Sequence, residues 1–371
     1  GGPAGWAGTL PPMKGLILAG GSGRRLRPLT HTSAKQLVPI ANRPILHYVI
    51  DDLVGVGITD LGIVVGETLN EIRASVGDGS AWGATVTYIE QEAPLGLAHA
   101  VLIAKPFLAE ETFAMYLGDN MFEDPLDVLV ANFDSRKAAA RLLLAKVEDP
   151  TAFGVAEIGP GRTITALIEK PDFPPSDLAL VGVYLFGPRI HEAVRAIRPS
   201  GRGELEITDA IQWLIDQGEM VEHRVLEGWW IDAGKKDPLL CCNELVLDTV
   251  PPSVDGIVDD RSTLDGRVRV DEGAEVVNST LIGPLIVGRG ARISMSRVGP
   301  YVSVGSGCRV ERSVVDRSVL MDNAQVIDVD SLTESVLGRE AEVNGAGATG
   351  EASMLLGDHS VVELGRSEGP R

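Results

Sequence analysis

An α/β domain built on a mostly parallel sheet, followed by a parallel β-helix of hexapeptide repeats, is the fold class this sequence predicts. Three observations carry it. Strand-like and helical apolar segments alternate through the first two thirds of the chain, the rhythm of a parallel sheet covered by helices on both faces. After Thr249-Val250-Pro251-Pro252 helical periodicity ends, and aliphatic residues recur every six positions, occasionally five. At 371 residues the chain is also long enough for two domains with separate cores.

The elements follow in order. Residues 1–12 lack the basic start and apolar centre of a secretory signal, so they are expected as a flexible leader, with Met13 the native start. Strands are predicted over 14–19, 60–65, 84–90 and 112–117. Helices are predicted over 44–56, 70–76 and 97–107. The first helix carries Ile45, Leu46, Val49, Leu53 and Val56 at helical spacing, with Pro44 suited to its first turn. Ligands of such sheets sit beyond the carboxyl ends of strands. The Gly-rich loop after the first strand and Asp119 after the fourth are therefore expected to face one crevice. A further apolar strand, 164–168, ends at Glu169-Lys170-Pro171. RGELEITD, residues 202–209, reads as a helix start with Thr208 or Asp209 as cap.

In the last third the recurring aliphatics are Leu264, Val270, Val276, Ile282, Val287, Ile293, Val298, Val304 and Val310. A step of six is neither helical nor a plain alternation. It suits a coil with three flat faces and one hexapeptide per face, each inward aliphatic stacking about 4.8 Å below its equivalent. One coil cannot bury its own apolar side, so several must stack. A β-sandwich with chance spacing is the alternative. The expected domains are a catalytic domain over 13–248, a β-helix over 249–365 and a polar, loose tail over 366–371.

Composition removes several classes. The net charge is −19 and the pI about 4.7, which argues against a phosphate-backbone binder and against an anionic membrane surface. No run of about 18 apolar residues is present to span a bilayer. Three cysteines, two of them adjacent, make neither a disulfide framework nor a zinc site. Buried thiols in a reducing cytoplasm are expected. His31, His47, His99, His191 and His223 show no metal spacing and receive no chemistry.

Against that acidity stands GLILAGGSGRRLRPLTHTSAKQLVPI, residues 15–40. No Asp or Glu precedes Asp51, while Arg24, Arg25, Arg27, Lys35 and Arg43 crowd one short stretch. Glycines after a strand let backbone N–H groups converge on an anion. The order is neither a dinucleotide fingerprint nor a Walker loop. A loop with its own arginines can hold a triphosphate and balance the charge that grows on leaving pyrophosphate; a solvated turn with incidental basic residues is the alternative. Mg²⁺ takes few carboxylates plus phosphate oxygens. Asp119, in LGDN, and Asp232, in GWWIDAG, are the candidates, although a capping role for either stays open. Lys170 can meet a phosphate and Glu169 can accept bonds from sugar hydroxyls, with a surface ion pair as the alternative.

GGSGxRLxPLT, SAKQLVPI, QEAPLGLAHA, YLGDN, FGVAEI, IEKP, RGELEITD and WWIDAGK occur in that order. Together they closely resemble the long-form glucose-1-phosphate thymidylyltransferases of the sugar nucleotidyltransferase superfamily. The match runs over residues 13–248, and the hexapeptide region is what the long form adds. The resemblance implies a Rossmann-like nucleotidyltransferase domain, a left-handed β-helix, and conversion of dTTP and α-D-glucose 1-phosphate to dTDP-glucose and pyrophosphate. It implies Leu18, Gly20, Gly23 and Arg25 at the nucleotide loop, and Arg25 and Lys35 on the triphosphate. Gln91 and Gly96 would read the pyrimidine, and Asp119 and Asp232 would bind Mg²⁺. Gly154, Glu169 and Val181 would touch the hexose; Lys170 and Arg202 would meet its phosphate. A cytoplasmic homo-oligomer with no nucleic-acid or membrane partner is expected, the β-helix serving oligomerisation and stability. Two departures stand out: Arg24 where the family usually has Thr, and Phe153 where a tyrosine is common. Alternatives are the same chemistry with UTP, ATP or GTP or with another sugar or cyclitol phosphate, and a non-catalytic sugar-nucleotide sensor. Acyl transfer on the β-helix is disfavoured, because His359 is the only histidine after residue 250.

Overall fold

The structure is a computed structural model that describes residues 13–21, 23–160, 163–346 and 349–365. The expected leader and tail, and Ser22 of the glycine loop, lie outside the described residues. Contacts divide the chain into two compact units. One is Gly1–Gly21 with Leu46–Trp230; the other is Ser22–Ile45 with Ile231–Arg371.

The first unit is an α/β sheet. Its strands are β1 (Met13–Leu18), β2 (Asp60–Val65), β3 (Thr85–Glu90), β4 (Thr112–Leu117), β5 (Ala140–Lys146), β6 (Gly154–Ile158), β7 (Ile164–Glu169), β8 (Leu178–Phe186) and β9 (Val221–Val225). They run in the order β7-β6-β8-β4-β1-β2-β3, with β5 pairing β8 and β9. β4, β1, β2 and β3 are mutually parallel. The half around β8 adds antiparallel pairs to β4, β5 and β6. The parallel strands read as near-continuous apolar runs because both their faces are covered. In β1, Leu16 and Ile17 are fully buried.

The helices α1 (Ile45–Gly55), α2 (Leu69–Val76), α3 (Leu97–Ile103), α4 (Lys105–Leu108), α5 (Ile190–Ala196) and α6 (Ile207–Asp216) lie in the connections and after β8. Three expectations need correction. Pro44 belongs to a two-residue strand, Arg43–Pro44, rather than to the first turn of α1. The single helix expected over 97–107 breaks at Ala104, and α4 starts afresh with Pro106 in its first turn, where its missing N–H is no loss. The N-cap of α6 is Glu206, and no side-chain cap forms; Thr208 and Asp209 are inside the helix.

His191, in α5, is 3% exposed and lies against Phe113 at 6.1 Å between ring centroids. Burial, reinforced by the charges of Lys105 and Arg195, pushes its imidazolium down to about 4. The unfolded chain therefore takes up this proton first. The stability His191 permits is complete above its ordinary titration range and is lost as pH falls toward the lower value. Acidification from pH 7 to 4 is expected to remove roughly 3 kcal/mol through this residue. Urea unfolding of His191→Gln against the wild type, at both pH values, checks it: the variant should lose less.

The second unit carries the β-helix. Two seven-stranded parallel sheets and one of six strands are generated by successive short strands, each pairing with the strand one coil on. Val270, Val287 and Val304 stack in register on one face, Val276, Ile293 and Val310 on the second, and Leu281, Val298 and Val315 on the third. All nine have 0% exposure. The six-residue phase slips at one position: Leu281 points inward where Ile282 was expected, and Ile282 is only half-buried. At the corners the serines form a ladder. Ser262 Oγ accepts from the N–H of Ser279, Ser279 Oγ from Ser296 N–H and Ser296 Oγ from Ser313 N–H, each at 3.1 Å. These bonds satisfy backbone donors where the chain turns between faces. Packed in the same unit is α7 (Lys236–Leu247), which buries Cys242 but exposes Cys241, so one of the two adjacent thiols is not a core group.

Candidate active site

The strand edges set the site. β1 and β4 are parallel neighbours with Leu18 opposite Leu117, and Gly118 donates its N–H to Leu18 O at 3.0 Å. Gly20 and Asp119 thus leave the sheet side by side, beyond the carboxyl ends, as the alternation of elements predicted. Gly20 has no Cβ to spare: one added there would sit 3.2 Å from Gln91 Oε1.

Gln91 follows β3 at the same edge. Its Nε2 donates to Gly96 O at 3.3 Å and meets His99 Nδ1 at 3.0 Å. His99, given no role from sequence, therefore orients the amide that the family resemblance assigns to the base. Its position in the first turn of α3 was visible; its partner was not. Gly96 caps α3 with φ 103° and ψ 168°, a region open only to glycine. A Cβ there would lie 2.3 Å from Leu205 O.

Asp119 is 6% exposed. Its Oδ1 lies 3.4 Å from the Asn120 amide nitrogen, while the Asn120 amide oxygen accepts the Gly182 N–H at 3.2 Å and the Trp230 indole N–H at 2.8 Å. Trp230 in turn stands edge-on to Phe153 at 5.1 Å, so the ring that replaces a tyrosine here packs rather than hydrogen-bonds. Asn120 and Trp230 are positioning residues that the sequence left unassigned, because their partners come from distant strands.

The third cluster centres on Glu169. Lys170 Nζ and Arg202 Nη2 both reach its Oε1 at 3.0 Å, and the Thr208 hydroxyl donates to Oε2 at 3.2 Å. Arg202 also pairs with the buried Glu206 at 2.8 Å, which Ser200 Oγ bonds at 2.7 Å. Burial works to raise the Glu169 carboxyl, but the Lys170 and Arg202 contacts prevail and hold it below its ordinary value. Lys170 sits at φ 43°, a left-handed conformation unusual for lysine and typical of strained site residues. Gly154 is needed behind this group: a Cβ would fall 2.7 Å from Thr208 Cγ2 and 3.4 Å from Glu169 Oε2. Val181 is fully buried in β8. It was expected to touch the hexose. Glu169, Lys170, Arg202 and Glu206 line a cavity of about 430 Å³ with Leu167, Gly201 and Asp209.

In the second unit, Arg25 follows Gly23, whose φ of 59° starts a short 3₁₀ turn. Arg25 Nη2 meets Asp232 Oδ2 at 3.2 Å, and Asp232 Oδ1 accepts the Gly234 N–H at 3.1 Å. Two of the expected site residues from opposite ends of the catalytic sequence are thus in contact. Asp232 does not cap α7, whose N-cap is Lys235 without a side-chain bond. Lys35, half-buried, opens another 3₁₀ turn; beside it Gln36 is 1% exposed, and its amide has no hydrogen-bond partner among the described residues. Among the described residues no cluster of three or more His, Cys, Asp or Glu forms a metal cage. Asp119 in the first unit and Asp232 in the second each carry hard carboxylate oxygens, the donor type that Mg²⁺ takes.

Residues 14–249 match the nucleotidyl transferase family, and residues 261–344 match the GlmU-like C-terminal hexapeptide family. The latter gives the β-helix its left hand. A glucose-1-phosphate thymidylyltransferase of Streptomyces griseus is 52% identical over 95% of this chain and 99% of its own length. One from Streptomyces antibioticus is 50% identical over the same shares. A crystal structure of a Bacillus anthracis protein described as a glucose-1-phosphate thymidylyltransferase, 36% identical, superposes with a TM-score of 0.59 over 63% of this chain and 94% of its own. With a sheet that ends in a glycine loop and a buried aspartate, and with matches that span both regions, the chain belongs to the nucleotidyl transferase family, among its long members that add a hexapeptide β-helix to the glucose-1-phosphate thymidylyltransferase domain.

Proposed function

We propose that the protein transfers a thymidylyl group from dTTP to α-D-glucose 1-phosphate, giving dTDP-glucose and pyrophosphate. The observation that carries this reading is the Glu169 cluster: one carboxylate to grip sugar hydroxyls, with two cations beside it for the attached phosphate. The near full-length similarity to enzymes of that name supports the choice of substrates.

The nucleophile is a phosphate oxygen, already anionic at neutral pH, so no serine, cysteine or histidine is needed to activate it. It forms a bond to the α-phosphorus of dTTP as the bond from that phosphorus to the bridging oxygen breaks. The electron pair leaves on pyrophosphate. The obstacle is repulsion between two anions, and the remedy is charge balance and in-line alignment. Arg25 and Lys35 offset the charge on the departing pyrophosphate. Lys170 and Arg202 hold the sugar phosphate, and Glu169 with Gly154 fixes the hexose. Gln91, held by His99 and Gly96, reads the pyrimidine edge. Asp119 and Asp232 would hold Mg²⁺, which when bound supplies further positive charge to the phosphate oxygens.

The Haloferax volcanii UTP–glucose-1-phosphate uridylyltransferase AglF, 38% identical over 60% of this chain and 91% of its own length, favours UTP as the second reading. Pyrophosphate release with Mg²⁺, dTTP and the four ribonucleoside triphosphates against several sugar phosphates decides. A kcat/KM for dTTP with glucose 1-phosphate above every other pair is the expected result, and the margin over UTP is modest because one methyl group is worth only about 1 kcal/mol. The reading also includes a cytoplasmic homo-oligomer, checked by fractionation and light scattering. No helix among the described residues is long and apolar enough to cross a membrane.

Glu169→Gln should raise KM for glucose 1-phosphate about 10- to 150-fold, the equivalent of a charge-assisted hydrogen bond of about 1.5–3 kcal/mol. KM for dTTP should stay within twofold. Equal effects on both substrates would remove Glu169 from the sugar subsite.

A further inference from the structure

The cationic stretch is tied to the rest of its unit at two places. At the first, Thr32 Oγ1 and Ser33 Oγ donate to Asp358 Oδ2 at 2.9 and 3.2 Å. Asp358 lies between Leu355–Leu356 and Val361–Glu363, the last strands of two of the three β-helix sheets. Its side chain is 3% exposed. Arg339, one coil back, donates to Asp358 from its backbone N–H at 2.8 Å and from its guanidinium at 2.9 and 3.1 Å, and also bonds Ser33 Oγ. Burial acts to raise the Asp358 carboxyl, but Arg339 and Thr32 outweigh it and leave it below its ordinary value, charged at neutral pH. Next to it, the Pro28 backbone packs so closely on Gly357 that a Cβ there would meet Pro28 O at 2.9 Å.

At the far end, Ala41 and Asn42 take φ of 47° and 62° in a tight hairpin between Pro39–Ile40 and Arg43–Pro44. Ala41 donates its N–H to Asn243 Oδ1 at 2.9 Å, and Asn42 Nδ2 donates to Val304 O at 2.7 Å. Ser303 Oγ shares the same Asn243 oxygen at 2.7 Å. Arg25 precedes the first clamp and Lys35 lies between the two. A stretch with no carboxylate of its own thus takes its order from a carboxylate in the terminal coil.

We propose that Asp358 is a positioning residue for transfer: it fixes Thr32 and Ser33, and through them the loop that presents Arg25 and Lys35 to the triphosphate. The β-helix then serves nucleotide binding as well as stability. This rests on the phosphate-binding reading of the loop given above. A guanidinium that drifts by about 1 Å loses much of its value to a reacting phosphate.

The test compares wild type, Asp358→Ala, Thr32→Val/Ser33→Ala and Asp328→Ala. The last removes a carboxylate that pairs with Arg312 elsewhere on the β-helix and serves as control. The hydroxyl double variant leaves the terminal coil untouched, so it keeps the test valid if Asp358→Ala folds poorly. Equilibrium binding of dTTP, KM for each substrate, and hydrogen exchange of residues 24–37 are measured. The expected result for both loop-clamp variants is about tenfold weaker dTTP binding, faster exchange in 24–37, and a glucose 1-phosphate KM within twofold of wild type. The control should match wild type throughout. Unchanged dTTP binding in both clamp variants, or an equal loss in the control, would overturn the positioning role. A wild-type chain that binds no nucleotide at all would overturn the proposed function, and the positioning role with it.

Discussion

Asp119→Asn should lower pyrophosphate release at least about 100-fold, with dTTP and glucose 1-phosphate saturating, while the melting temperature holds. The exchange is nearly isosteric. Asn120 still receives the Gly182 N–H and the Trp230 indole, so the strand edge keeps its shape. What disappears is a negative charge on a group 6% exposed, held in place by a neighbour whose own amide is pinned twice. A divalent cation attracted there would lose a carboxylate, so a higher Mg²⁺ requirement should accompany the slower rate. Rates near wild type at low Mg²⁺ would take Asp119 out of the metal site. Loss of rate together with loss of fold would show only that a buried contact had been broken.

The second large effect is structural. Gly96→Ala should destabilise the sheet unit by about 3–5 kcal/mol, combining backbone strain at positive φ with overpacking against fixed backbone. The Cβ has no soft neighbour to displace: the Leu205 carbonyl oxygen at 2.3 Å accepts the Ala98 N–H, and Leu205 N donates to Leu95 O at 2.7 Å. Moving Leu205 would disturb the segment that also carries Arg202 and Glu206. The variant should therefore unfold at lower urea concentration and show weaker affinity for both substrates. A denaturation midpoint equal to wild type would mean that the 96 and 205 segments separate more easily than their hydrogen bonds suggest.

Much of this was legible before any coordinates. The strands at Asp60–Val65 and Thr112–Leu117 fall at the predicted residues, because continuous β-branched and aromatic runs between turn residues leave little choice. The hexapeptide step announced the three-faced coil. It failed at Ile282, because coil corners vary in length by a residue and spacing alone does not mark a corner. Local chemistry misled at Thr208, whose hydroxyl looks like a cap in sequence and is instead used by Glu169. Side-chain partnerships were the hidden part. That Glu169 collects Arg202 and Thr208 depends on how β7 and α6 pack, which carries no signature in the linear chain. Val181 shows the converse: a residue expected at the site is wholly interior.

The serine rungs at the corners of the β-helix have an evolutionary consequence. Each rung links a residue only to its counterpart in the adjoining coil, so the column keeps count in whole circuits. Excision or duplication of one full circuit would restore every rung in phase. A gain or loss of a single hexapeptide would set serines against flat faces and aliphatics against corners. Length change in this region is thereby quantised, and relatives should differ by complete circuits rather than by fractions of one.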